Sequence, residues 1–211
     1  MLQLPNITLV AMGSKDIGGM ANALEVSSEE IKFGAVKLIS HKCPRFTRTQ
    51  GKNPIKFEYI NPINSIDDWN HEIIYSLYKY IDTEFALLVH GDGYVIRPDL
   101  WRDDFLKYDY IGAPWPLPTD DYSYRTESGR IVRVGNSVSI RSKRLMERVA
   151  KFPWREYYGN TNEDGFISVH HRDELEGEGF TFAPLELAVY FSKEHEIPEN
   201  KDLETFAFHS L

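Results

Sequence analysis

Residues 85–93 read Phe-Ala-Leu-Leu-Val-His-Gly-Asp-Gly: five apolar residues in a row that run into a carboxylate flanked by glycines. An apolar run without polar alternation suits a strand buried on both faces, and such strands belong to parallel sheets covered by helices. The run ends at His90-Gly91-Asp92-Gly93, and Tyr94-Val95-Ile96 then leads the chain back. Gly91 and Gly93 let backbone and ligand approach Asp92 closely. The same Asp-Gly pair is also an ordinary hairpin turn, and the two roles are compatible.

Upstream, Ser65-x-x-Asp68 reads as a capping box opening a helix, with Ile66, Trp69, Ile73, Leu77 and Ile81 as an apolar stripe at spacings of three and four. Phe57–Ile60 is a short strand, preceded by a loop that contains Thr47, Arg48, Gln50 and Gly51. The N-terminus reads as a strand over Ile7–Met12, a helix over Ile17–Ser27 and a strand over Phe33–His41, which is a βαβ opening. Downstream lie the segment Tyr108–Trp115 (YDYIGAPW), a polar loop through about Gly129, and an apolar stretch over Ile131–Ile140 broken by Gly135-Asn136. Helices are expected over Ser142–Phe152 and Glu163–Glu174, and a short strand over Phe180–Phe182. Strands alternating with helices predict an α/β fold: one domain over residues 1–211 with a central, mostly parallel mixed sheet flanked by helices. Ligands bind such sheets beyond the carboxyl ends of the strands, so the loops after Met12, His41, Ile60 and Val89 are where chemistry is expected.

Composition narrows the function. With 24 Lys and Arg against 32 Asp and Glu the net charge is −8, which argues against a nucleic-acid partner. A phosphate ligand would need a metal ion, a helix N-terminus or a few chosen cations to overcome that field. The single cysteine excludes an internal disulfide framework and suits a reducing, cytoplasmic setting. The apolar runs are too short for a membrane span. The stretch from Asp173 to Glu204, with ten acidic residues and two lysines, reads as a solvated face.

Several residues are candidates for chemistry. Asp92, delivered by a buried strand to a glycine turn, stands where Mg²⁺ or Mn²⁺ bridging phosphate oxygens would be held. Glu163 and Asp164 follow Asn160-Thr161-Asn162 and open a helix, where carboxylates also complement the helix dipole. Adjacent helical residues point about 100° apart, so one of the pair faces a cleft while the other caps or orients. Asp164 is the preferred general base, taking a proton from an acceptor hydroxyl, with Glu163 as the substitute. His209, between the anchors Phe206 and Phe208 and the C-terminus, offers an imidazole to a metal otherwise held by oxygen. His41 with Cys43, and His170 with His171, lack the partners that would complete a tetrahedral zinc set. Gly13-Ser14-Lys15-Asp16-Ile17-Gly18-Gly19 matches neither nucleotide-binding fingerprint, but Lys15 and the loop's N–H groups suit a diphosphate. Tyr110–Trp115 could set an aromatic face against a sugar or simply bury a Trp; Asn136, Ser137 and Ser139 could bind a hexose or mark a strand bulge.

Taken in order, these pieces resemble the GT-A glycosyltransferases. The resemblance rests on His90-Gly91-Asp92 as a reduced Asp-x-Asp, Tyr108–Trp115, Val134-Gly135-Asn136-x-x-Ser139, Glu163-Asp164, Phe182-Ala183-Pro184 with Phe191-Ser192-x-Glu194, and Phe208-His209. The chain is also similar to the N-terminal domain of a large chlorella-virus glycosyltransferase. That likeness implies capsid-glycan synthesis in host cytoplasm and further domains of a longer polypeptide. The family resemblance implies a hexosyltransferase that moves a hexose or deoxyhexose from a UDP-sugar donor to a glycan acceptor with Mn²⁺ or Mg²⁺. Asp92 and His209 would hold the metal, Asp164 would be the base of an inverting transfer, with retention the alternative if no carboxylate reaches the acceptor side, and Met12 and Lys15 would receive uridine and phosphates. His90 at the first position of the motif leaves fewer carboxylates for a metal. A sugar-binding module without chemistry and a metal-dependent phosphoester hydrolase using Asp92 and Asp164 are the rival readings.

Overall fold

The computed structural model describes residues 1–46, 53–154 and 162–210, without the side chains of residues 136 and 137. Thr47, Arg48, Gln50, Gly51, Asn160 and Thr161 therefore lie outside the described residues, as do the side chains of Asn136 and Ser137.

The chain opens with strand β1 (Leu2–Met12), helix α1 (Ile17–Ser27), and strands β2 (Ile31–Ser40) and β3 (Ile55–Tyr59). Helix α2 (Ile66–Tyr75) and strand β4 (Phe85–Leu88) follow, then β5 (Tyr110–Pro114) and β6 (Val134–Ser142). The last third holds α3 (Lys143–Val149), the single turn α4 (Glu163–Gly165), α5 (Arg172–Gly177), α6 (Leu185–Ala188), and the two-residue strands β7 (Ser192–Lys193) and β8 (Ala207–Phe208). Six strands form one sheet in the order β3-β2-β1-β4-β6-β5. β3, β2, β1 and β4 run parallel, while β6 is antiparallel to both β4 and β5. The expected α/β architecture is present.

Alternate residues of the central strands enter different cores. Ile7, Leu9 and Ala11 of β1, with Leu87 and Val89, pack with Leu24 of α1. Val10 and Met12, with Ala86 and Leu88, pack with Ile73 of α2, Leu77 and Met146. Both faces of β1 and β4 are covered, which is why neither shows polar alternation. A third cluster, around Tyr110, Leu145, Phe166 and Leu175, seats the segment after α4.

Several boundaries differ from the sequence expectation. β1 begins at Leu2, because Leu2–Leu4 pair with Ile31–Phe33 before the register shifts ahead of Thr8. The helix opened by Ser65 has the expected reciprocal capping box with Asp68 but ends at Tyr75, and a 3₁₀ turn carries Leu77. Ile66 is 64% exposed, so it is not part of the core stripe. The helix expected over Glu163–Glu174 is interrupted: Phe166–His170 forms a π turn, closed by the His171 N–H donating to the Phe166 carbonyl at 3.2 Å. Such turns widen a helix by one residue and often occur at functional sites. The strand expected at Phe180–Phe182 is reduced to one bridge between Tyr110 and Phe182. The β5/β6 register shifts between Gly112 and Ala113, so the Gly135-Asn136 break is an irregularity in strand pairing. Among the described residues, no helix is long and apolar enough to cross a membrane.

Candidate active site

β1 and β4 are neighbours, but the chain leaves them in opposite directions across the sheet: β2 and β3 lie on one side, β6 and β5 on the other. Crossovers diverging from adjacent strands cannot close the space over the strand ends, and the crevice left there is the favoured ligand site of open α/β sheets. A cavity of about 540 Å³ occupies it. Met12, Ile63, Ile66 and Trp69 form an apolar wall, whereas Lys15, Asp16, His90, Asp92, Asp164 and His209 line the polar side.

The apolar wall is tied together from two elements. Trp69, in the first turn of α2, donates its indole N–H to the Met12 carbonyl at 2.8 Å. The Ile63 N–H donates to Ser14 Oγ at 2.8 Å, which joins the loop after β3 to the loop after β1. Asp16 caps α1 from a left-handed backbone (φ 44°) by accepting the Gly19 N–H at 3.1 Å. Asp and Asn tolerate that conformation better than most residues.

On the polar side, β4 delivers a tight turn in which His90 and Gly93 exchange backbone hydrogen bonds of 2.7 and 3.3 Å. The chain does not continue as a hairpin, because Val95 bridges to Ala207 of β8. That bridge brings the C-terminal segment across the mouth of the turn. His209 Nε2 lies 3.4 Å from Asp92 Oδ1, and Ser210 Oγ donates to Asp92 Oδ2 at 2.9 Å. The other imidazole nitrogen, Nδ1, is 3.1 Å from Glu194 Oε2, which orients the ring with Nε2 toward Asp92. Burial opposes a charge on His209, but the hydrogen bond to Glu194 and the charges of Glu194, Asp92 and Asp164 outweigh it and raise its pKa. Burial likewise opposes the Asp92 carboxylate, and the Ser210 hydroxyl with the His209 charge more than offsets that and lowers its pKa. Gly93 is required by close approach: a Cβ there would lie 2.5 Å from His209 Cδ2 and 2.8 Å from Val138 Cγ2. Gly93 thus seats the imidazole from beneath, while Gly91 lies on the cavity wall.

The opposite edge is formed by α4. Glu163 and Asp164 both reach the cavity lining but have different partners. Glu163 is bound by Arg141 of β6 through Nη1–Oε2 at 2.7 Å and Nη2–Oε1 at 3.1 Å, with both side chains buried. Asp164 accepts the Gly165 N–H at 2.7 Å. Burial first, and the neighbouring Glu163 charge second, push its carboxyl up to about 7. A half-buried carboxyl poised near neutrality can hold or accept a proton at working pH, as a general base must.

The structure thus brings Met12, Lys15, Gly91, Asp92, Glu163, Asp164 and His209 to one cavity. Gly93 supports His209 from outside the lining. The Asn136 side chain lies outside the described residues. Among the described residues no group of three or more His, Cys, Asp or Glu is arranged to hold a metal ion, and Asp92 and His209 come together only as a pair. The pair offers one carboxylate oxygen and one imidazole nitrogen, each side chain held by a further polar contact, and in donor chemistry these residues could hold Mn²⁺ or Mg²⁺ if other ligands completed the shell. The structure adds contributors to which the sequence pattern assigns no site role: Ile63, Asn70, Arg141 and Ser210, together with Asp16 and Trp69, which the pattern places only in a glycine-rich loop and an apolar stripe. Trp69 and Asn70 follow a recognisable capping box, and the first turn of a helix entering from a strand's carboxyl end faces the crevice. Arg141 had no such signal, since a lone Arg in a strand says nothing of its partner.

No curated protein matches the chain in sequence. Among solved structures, an active-site mutant of LgtC superposes with a TM-score of 0.57 at 14% identity, covering 96% of this chain and 86% of that one. The galactosyltransferase LgtC in complex with donor and acceptor sugar analogs gives 0.56 at 14% identity, with coverages of 96% and 86%. The likeness is one of fold, and the fold is GT-A. A family model described as "Protein of unknown function (DUF5672)" matches residues 55–209, the larger part of the chain and most of the crevice's polar side, and the chain belongs to that family.

Proposed function

We propose that the chain is a glycosyltransferase that moves a hexose or deoxyhexose from a UDP-sugar to a glycan hydroxyl. One observation carries this reading: Asp92 and His209, distant in sequence, meet within 3.4 Å at the end of β4, in the same cavity as Asp164. The GT-A fold shared with a galactosyltransferase supports it. A capsid-glycan acceptor and further domains belong to the same proposal, on the resemblance to the chlorella-virus domain alone.

In this reading the nucleobase lies against the apolar wall of Met12, Ile66 and Trp69, and the diphosphate lies between Lys15 and Asp92. Asp92 and His209 would hold a divalent cation, which supplies charge stabilisation to the leaving diphosphate. Asp164 takes the proton of the acceptor hydroxyl as that oxygen bonds to the anomeric carbon. The sugar–phosphate bond breaks, and its electron pair leaves with the diphosphate. A base on the face opposite the leaving group inverts the anomeric configuration, by the geometry that separates inverting from retaining hydrolases.

The test is UDP release from UDP-glucose, UDP-galactose and a UDP-deoxyhexose with Mn²⁺, with and without EDTA and in the presence of a glycan mixture. Release stimulated by the glycans and abolished by EDTA is expected. Nucleotide binding without release under any condition would leave a binding module, and phosphate release would indicate a hydrolase.

A further inference from the structure

Beside Asp164 lies a buried ion pair, a feature that is by itself weak evidence of a stabilising role. Arg141 and Glu163 are 1% and 2% exposed, and for buried ion pairs the cost of removing both charges from water often matches or exceeds their mutual attraction. Its connections suggest another purpose. The Glu163 N–H donates to Asn70 Oδ1 of α2 at 3.0 Å, and Arg141 Nε donates to Ser139 Oγ of β6 at 2.9 Å. The Arg141 guanidinium also lies 5.4 Å from the Tyr110 ring on β5. The turn that presents Asp164 is therefore held from the helical layer on one side and the sheet on the other. Asp164 itself is tied only to its neighbour Gly165 among the hydrogen bonds described.

We propose that Arg141 and Glu163 are positioning residues that hold Asp164 at the cavity and set how readily it takes a proton from the acceptor. The proposal rests on the glycosyltransferase reading for its last step, but the placement and protonation of Asp164 can be measured without it. The charged and titratable groups around Asp164 are Glu163 on its own turn, Arg141 on β6, Tyr110 on β5, Tyr124 in the loop after β5, and Glu194 and His209 from the C-terminal segment. Glu163 and Glu194 disfavour its ionised form and Arg141 favours it, with Glu163 the stronger of the pair. Removing Glu163 alone therefore leaves an unopposed cation beside Asp164, whereas removing both members leaves neither effect.

The experiment compares wild type, Glu163→Gln and the double variant Arg141→Met/Glu163→Gln. UDP release from whichever of UDP-glucose or UDP-galactose is hydrolysed, with water as acceptor, is followed from pH 5 to 9. The acidic limb of kcat/KM should move down by about one to two pH units in Glu163→Gln and fall between wild type and Glu163→Gln in the double variant. A pair that only stabilises the fold would lower the rates and leave the limb in place, which would overturn the proposal. A ¹³C titration of the Asp164 carboxyl, assigned by its loss in Asp164→Asn, reads the same order without turnover. If no UDP-sugar is consumed, the glycosyltransferase reading fails while the carboxyl titration still decides this one. Should Glu163→Gln not fold, the double variant suffices: an Asp164 titration unchanged from wild type refutes the proposal.

Discussion

Replacing Asp164 by Asn is expected to make the protein more stable and less active, and the size of the gain depends on pH. The two side chains have nearly the same shape, so the substitution removes a charge with little change in volume. Burial and the adjacent Glu163 push the Asp164 carboxyl from the ordinary 3.8 to about 7. A carboxyl raised in the folded state binds a proton there that the unfolded chain has already released, so wild-type stability falls as pH rises from about 4 to about 7 and is level above that. At 1.36 kcal/mol per pH unit the displacement corresponds to about 4 kcal/mol, and water at the cavity mouth reduces the expected gain to about 2–4 kcal/mol. Urea unfolding of both proteins at pH 4, 6 and 8 measures it: near-equal stabilities at pH 4 and a growing advantage for Asn toward pH 8. Over the same range the variant should lose sugar transfer by roughly 10²–10⁴-fold while binding UDP almost unchanged. A stability difference that does not vary with pH, or a variant less stable than wild type at pH 8, would refute the claim that this carboxylate is held against its preference for water.

Other expectations follow from particular contacts. Arg141→Met leaves Glu163 buried without its partner and should cost about 3–5 kcal/mol in urea unfolding, much of it recovered when Glu163→Gln is added. His209→Ala should raise the Mn²⁺ concentration needed for half-maximal UDP release at least about tenfold, read by metal titration of the apoprotein. Gly93→Ala should produce a milder version of the same defect, because the new methyl group collides with the His209 ring and Val138. Trp69→Phe removes the hydrogen bond to the Met12 carbonyl and should cost about 1 kcal/mol of stability. It should also weaken UDP binding several-fold by calorimetry, since the indole forms part of the apolar wall.

The fold was largely legible because its signals are local. The unbroken apolar runs at Ile7–Met12 and Phe85–Val89 reflect strands covered on both faces, and the Ser65–Asp68 capping box marks the start of α2. The errors of extent have local causes too. Leu2–Leu4 lack a continuous apolar pattern, because two-strand pairing and not burial of every side chain holds them in the sheet. The helical periodicity after Glu163 conceals a π turn, since one inserted residue barely alters the spacing of buried positions within so short a segment.

At the site, sequence alone determined that a carboxylate would emerge at Asp92 from the end of a buried strand and that Glu163 and Asp164 would open a helical turn. These follow from periodicity and turn chemistry, which act over a few residues. Local pattern does not place His209 against Asp92, a pairing that only the family resemblance implies; tertiary structure makes the contact, through the bridge from Val95 to Ala207 and a glycine small enough to seat the ring. It also decided which of two adjacent carboxylates faces the cavity relatively free. Arg141, which claims Glu163, comes from a strand 22 positions earlier, and a pairing made by packing across layers leaves no periodic trace in the chain.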